Sequence, residues 1–339
     1  MTKKQKNALG IFTESVGLYF SNFDKFLKYM TFPVLGQIAG LIIAFFTTYL
    51  YTVNMPKLID KYPQLNDLGI LITISVLVIL PGMAIFCKAF WEYLVAYGSV
   101  NSMLENMLRS GKVYDFEAHT ELIKRRAFSF IGLWLLFGIF SLIAICPLMW
   151  IICAIFAIYF VLIFQIFTFE PELSPFGCVK RSLMLVKGHF RDTFMLFALV
   201  GTLTYIAIPQ IVIKGFDATG VNIAFSNAIM PFVNLLPELD FSMYGLTSIK
   251  HSDMALFTIQ TIFAQILIQY TLPLRSILWS MWYKELNNGL PKQELPTQKK
   301  KSKKRPSEKL MEASKKKYSK KKIDDNILRR AMEKDDDEE

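Results

Sequence analysis

The sequence predicts an all-α, polytopic membrane protein with about six transmembrane helices and amphipathic cytoplasmic connectors. Three observations predict it. Long apolar stretches fill most of residues 31 to 283. Residues 127–168 hold no charged side chain over 42 positions. A helix needs roughly 20 apolar residues to cross a ~30 Å hydrocarbon core, so this block holds two crossings, joined near Cys146-Pro147. Third, Lys and Arg gather in alternate connecting segments, as they do in cytoplasmic loops.

Residues 7–29 read as an amphipathic helix. Phe12, Val16, Tyr19, Phe20, Phe23, Phe26 and Leu27 fall on one broad apolar face, with Ile11 at its edge. Such a helix either lies in the headgroup layer or packs on the bundle. The first crossing spans roughly 31–53, and a short loop with Pro56 and Pro63 follows. It is too long for the apolar segment of a signal peptide, so it is expected to stay as a membrane helix. The second crossing starts near Leu68, runs past Pro81 as a kinked helix, and continues beyond the bilayer to about Leu108. Residues 109–126 form a polar loop ending in Lys124-Arg125-Arg126. Crossings three and four are the uncharged hairpin.

Residues 169–192 are short and polar. Ser174-Pro175 can start a helix there, with Ser as cap and Pro at the first position. Phe176, Val179, Leu183 and Val186 then recur at helical spacing. This places 174–188 either along the leaflet or against the bundle. The fifth crossing is about 193–213 and the sixth about 255–276. The intervening 215–254 is too long for a structureless loop and is expected to hold local structure, re-entrant or surface-lying.

With six crossings, the side bearing both termini receives 14 Lys and Arg from the N-terminus and the two polar loops. The opposite side receives four: Lys57, Lys61, Lys214 and Lys250. Both termini are therefore expected to be cytoplasmic. The chain divides into an N-terminal amphipathic helix (1–30), a membrane domain (31–290) and a tail (291–339).

The tail carries the molecule's basic character. Residues 299–322 contain 13 Lys or Arg against two acids, and the remaining residues sum to −1 within a total of +10. Disorder is the expectation for such composition. Lys299, Lys300, Lys301, Lys303, Lys304 and Arg305 are candidates to hold anionic lipid, each Lys or Arg near the surface being worth about 1 kcal/mol. A cytoplasmic protein, or ribosomal RNA held through its phosphates, is the other class of partner. Lys180, Arg181 and Lys187 on the 174–188 segment join the candidate headgroup contacts.

Two intramembrane features invite a functional reading. Thr258, Thr261, Gln265 and Gln269 fall on one helix face and are expected to turn inward, where interhelical bonds of this kind are worth on the order of 0.6–2 kcal/mol. They are either helix–helix glue or the lining of a polar path, with Gln37 and Gln165 as partners. Lys88 and Glu92, one turn apart, read as an interfacial ion pair. Otherwise Lys88 simply reaches for the interface.

The chain shows no GxSxG, no HExxH, no phosphate-cradling loop and no dinucleotide fingerprint. The four cysteines have no metal spacing. His119, His189 and His251 lie in three separate polar segments; Glu117 and Glu121 flank the first, either as a weak metal-like cluster or, the favoured reading, as a solvated helix face. No enzyme activity, metal or cofactor is expected.

Two segments carry a family resemblance. One is Phe169 to Leu196, with Glu172, Ser174-Pro175, Lys180-Arg181-Ser182 and Leu185-Val186-Lys187-Gly188. The other is Leu274 to Gly289, with Trp282-Tyr283-Lys284-Glu285. Both resemble the membrane domain of bacterial glycerophosphodiester phosphodiesterases and related multi-helix membrane proteins. The resemblance implies a six-helix fold in the bacterial cytoplasmic membrane. It implies no activity, because that family's chemistry sits in a separate soluble domain which this chain lacks. The expected role is that of a non-enzymatic integral membrane protein with a lipid- or partner-binding tail. A transporter or lipid-handling protein and a ribosome-binding biogenesis factor are the alternatives.

Overall fold

The computed structural model describes residues 7–111, 113, 116–143, 145–235 and 248–289. It is all-α among those residues, and five helical stretches are long and apolar enough to cross a membrane: Phe23–Lys61, Leu68–Leu104, Trp150–Phe169, Phe190–Ala218 and His251–Asn287. The apolar helix Ala127–Ile143, of 17 residues, is the remaining candidate for a sixth. The tail 290–339, with Lys299, Lys300, Lys301, Lys303, Lys304 and Arg305, lies outside the described residues.

The 7–29 segment divides at Asn22. Helix α1 (Ala8–Ser21) is capped by Asn7, whose side chain accepts from Gly10 N, and α2 (Phe23–Lys61) then runs unbroken through Pro33 and Pro56. The buried face of α1 is Ala8, Ile11, Ser15 and Tyr19, whereas Phe20, Phe23 and Leu27 are exposed. The apolar face expected for one straight helix is thus broken into two. Tyr19 and Phe26 belong to the core. The break exists because Asn22 is more useful as a joint: its amide donates to Gly111 O at 3.0 Å and accepts from Val113 N at 3.0 Å.

Helix α3 (Leu68–Ser110) is one element of 43 residues, capped by Asp67 and stopped at Gly111, whose φ of 68° suits glycine. At 1.5 Å per residue it spans roughly 65 Å, about twice the ~30 Å hydrocarbon core. Its apolar window is almost entirely unburied, while its last part is core: Val95, Val100, Met103, Leu104 and Met107. α4 (Phe116–Lys124) packs along that last part. α5 (Ala127–Ile143) and α6–α7 (Trp150–Phe160, Ile163–Phe169) form the uncharged hairpin, turning through Pro147–Met149 as expected.

Ser174 caps α8 (Pro175–Lys187) by accepting from Gly177 N at 3.2 Å. Its buried residues are Cys178, Ser182, Leu185 and Val186. Phe176 is 73% exposed, so of the predicted apolar line only Val186 is fully buried. α8 packs on the bundle, and Phe176, Lys180 and Lys187 remain at its surface.

The fifth crossing is longer than expected: α9 (Phe190–Gly201), wide π-type turns over 202–207, and α10 (Ile208–Ala218). Part of the 215–254 segment is helical: α11 (Val221–Val233) starts at Gly220, with φ of 74°, and leans on α12 through Phe225 and Phe263 and on α2 through Phe232 and Tyr49. The sixth crossing is two helices, α12 (His251–Tyr270) and α13 (Leu272–Gly289), meeting at Thr271. α13 runs through the core between α1, α3, α7 and α8.

Burial is therefore concentrated at one end. There α1, α4, α8, α13 and the ends of α3 and α7 bury one continuous apolar cluster that includes Phe130, Phe167 and Trp282. Towards the other end the helices present large apolar side chains outward, among them Phe45, Val76, Leu80, Ile139 and Ile151. That pattern suits acyl chains as solvent: lipid imposes no penalty on exposed Leu, Ile and Phe, so helices need not close on one another there.

Candidate functional site

The connectors at the packed end are stitched together by polar bonds. Asn22 joins the α1–α2 joint to the loop after α3, and Lys25 Nζ donates to Val113 O at 3.1 Å. Arg126, between α4 and α5, donates to Phe167 O at 2.6 Å and to Pro171 O at 3.2 Å, and its guanidinium lies 3.9 Å from the Phe167 ring centre. Burial lowers its pKa below the usual guanidinium value. It ties the α4–α5 joint to the α7–α8 loop. The described parts of the N-terminal segment and of the 109–126 and 169–192 connectors thus meet at one end of the bundle.

A second knot unites the two segments that carry the family resemblance. Glu170 accepts from Arg181 Nε at 3.2 Å and from Tyr283 OH at 2.8 Å, and Arg181 also donates to Asn287 Oδ1 at 2.7 Å. Phe169 stacks on Tyr283 at 5.2 Å, and Trp282 Nε1 donates to Thr193 Oγ1 at 3.0 Å. Arg181 is not a headgroup contact: its side chain is only 16% exposed and its fork is used inside the protein. Lys180 and Lys187 are exposed beside it and keep that possibility.

A third cluster surrounds Lys88 and Glu92. They do not pair with each other. Glu92 Oε1 accepts instead from Lys124 Nζ at 2.9 Å, bridging α3 to α4. Lys88 is exposed and sits 5.6 Å from the Phe32 ring centre on α2. Local spacing does not bring α4 to this cluster, because its Lys124 lies 32 positions from Glu92. The same α3–α4 seam carries Ser99 to Thr120, Tyr29 to Thr120 and Ser102 to His119 bonds. His119 is thus turned to α3, and no group of three potential metal ligands occurs among the described residues. Tyr29, Phe32, Pro33, Lys88 and Glu92 line a lateral cleft of about 360 Å³ between α2 and α3.

The polar stripe of α12 is turned differently from the expectation. Thr258, Thr261 and Gln265 are exposed, away from the bundle interior, and Thr258 Oγ1 bonds its own helix at Met254 O. The buried positions of α12 are Ala255 and Ile259, one step round the helix. α10 and α11 pack on α12, through Phe216, Phe225 and Phe263 and through a Gln260 to Asp217 bond at 3.2 Å. Only Gln269 behaves as expected, accepting from Gln37 Nε2 at 3.2 Å. The four residues therefore do not form one inward-facing stripe.

The buried amides sit elsewhere. Asn101 Oδ1 accepts from Ser276, from Ser280 and from Gln165, and Gln165 Nε2 also donates to Tyr97 OH at 3.1 Å. This node pins α3, α7 and α13 together. Sequence pattern does not signal it, because Ser276 and Ser280, four apart on α13, look like ordinary polar residues near a helix end. Compared with family models, with curated proteins and with solved structures, the chain matches none.

Proposed function

We propose that the chain is a non-enzymatic, multi-pass protein of the bacterial cytoplasmic membrane, with both termini in the cytoplasm, whose cationic cytoplasmic face holds anionic lipid headgroups. One observation carries this reading. The Lys- and Arg-rich connectors converge on the packed end of the bundle, and α13 finishes at that same end at Gly289, ten positions before Lys299, where the tail's basic cluster begins. Cations retained on one side follow the positive-inside bias. Clustered Lys just cytoplasmic of a crossing is drawn to anionic lipid at about 1 kcal/mol per residue. The exposed Lys180 and Lys187 on α8 add to the same face.

The test uses the full chain in nanodiscs of mixed zwitterionic and anionic phospholipid. Substituting Lys299, Lys300, Lys301, Lys303, Lys304 and Arg305 with Gln should remove most of the enrichment of anionic lipid around the protein. Unchanged enrichment overturns the reading. So does a reporter fused behind Glu339 that appears on the outer side. Ribosome co-sedimentation that vanishes in the same variant, with lipid enrichment intact, replaces lipid by a ribosomal partner.

A further inference from the structure

We infer that the cleft between α2 and α3 is a specific site for one anionic phospholipid of the cytoplasmic leaflet, with Lys88 holding the phosphodiester. The inference rests on the orientation proposed above and adds a defined site to it.

Depth comes first. Lys88 is 20 positions from the start of α3 at Leu68. At 1.5 Å per residue that is roughly 30 Å, the thickness of the hydrocarbon core. The ammonium therefore sits where the acyl region gives way to phosphates.

Charge comes second. Three ionisable groups meet there, and the carboxylate is already engaged: Lys124 holds Glu92 at 2.9 Å. Among the described residues Lys88 has no carboxylate partner, and its ammonium lies 5.6 Å from the Phe32 ring centre. The trio is one positive charge in excess, which one phosphodiester with an uncharged head alcohol neutralises. A zwitterionic lipid brings an extra ammonium, for which the engaged Glu92 is a poor partner.

Shape comes third. The cleft is about 360 Å³, inside the roughly 300–1,000 Å³ range of small-ligand sites. Its walls are Tyr29, Phe32 and Pro33 on α2, with Lys88 and Glu92 on α3. Phe32 is 46% exposed and offers an apolar shelf for the glycerol and first methylenes. Two contacts brace the walls: Tyr29 is bonded to Thr120 at 2.8 Å and Gly36 packs directly against Ala89.

The experiment is native mass spectrometry of the full chain released from nanodiscs containing phosphatidylglycerol and phosphatidylethanolamine. We expect one phosphatidylglycerol per chain to survive delipidation. Lys88→Gln should lower its occupancy about fivefold, the equivalent of about 1 kcal/mol. Lys88→Arg should retain it, because guanidinium also binds phosphate. The tail variant with six Gln substitutions should keep this lipid while losing bulk enrichment, so the two proposals fail separately. Equal occupancy in Lys88→Gln, or equal retention of phosphatidylethanolamine, overturns the site. Matched melting temperatures for the three chains exclude misfolding as the cause.

Discussion

Gly40 of α2 and Gly82 of α3 bring the two longest helices into backbone contact. A methyl group added at Gly82 would fall 2.4 Å from Ala44 N and 2.6 Å from Gly40 O; one at Gly40 would fall 2.6 Å from Phe86 N. In lipid, where apolar burial drives no helix together, such close approach supplies the packing and admits bonds such as Thr47 Oγ1 to Val78 O at 2.9 Å. Gly82→Ala should therefore push the hairpin apart and cost about 1–3 kcal/mol, the usual range for overpacking. Gly138→Ala is the control, since nothing lies within 4 Å of the added methyl. Thermal unfolding of both variants in detergent checks this; equal melting temperatures would refute the contact.

Arg181 and Glu170 give a second prediction. Both are mostly buried, at 16% and 20% exposure, and Glu170 also accepts from Tyr283. Arg181→Met leaves the carboxylate with a single donor and Asn287 Oδ1 without this one, which should cost about 1–3 kcal/mol. Glu170→Gln keeps a hydrogen-bonding group and should cost less. The double variant should recover part of the loss in a double-mutant cycle. Strict additivity of the two single losses would show that the pair does not couple.

The crossings are legible in the sequence because an apolar run of membrane length suits little besides a bilayer. That the Lys- and Arg-rich connectors gather at one end of the bundle is legible because charge is expensive in hydrocarbon. Which face of a helix meets which neighbour is not. Thr258, Thr261 and Gln265 read as an inward stripe because amides avoid lipid, yet α10 and α11 occupy the adjacent face of α12. Spacing pairs Glu92 with the cation one turn away, although Lys124 on another helix reaches it. Gly36 and Gly40 stand at GxxxG spacing in α2, but that spacing does not single out Gly82 of α3 as the partner. In each case the deciding term is a tertiary neighbour, which local spacing does not encode.

Tyr19 makes stability fall at alkaline pH. Its hydroxyl donates to Tyr270 O at 3.2 Å, and burial pushes its pKa from 10.0 up to about 12. The folded state thus keeps a proton that the unfolded chain releases near pH 10. The associated stability is fully present below that pH and is lost as pH rises towards 12, by about 2–3 kcal/mol in all. Tyr19→Phe should be less stable at neutral pH, having lost the hydrogen bond, but its melting temperature should decline less between pH 10 and 12. Parallel declines in the two chains would place the alkaline sensitivity elsewhere.

The cysteines report both sidedness and packing. Cys146 is exposed in the α5–α6 turn, at the end away from the stitched connectors, whereas Cys178 is buried on α8. Burial pushes the Cys178 thiol up to about 11, so at pH 8 it offers almost no thiolate, the reactive form. In a chain with Cys87→Ser and Cys153→Ser, a membrane-impermeant maleimide added to intact cells should label Cys146 and spare Cys178. Cys178 should become reactive only after unfolding in denaturant. Cys146 lies beyond a hairpin with no charged residue between 127 and 168, so it can reach the outer face only if both arms cross completely. Labelling that required permeabilised cells would invert the topology, and with it the assignment of the packed, cationic end to the cytoplasm.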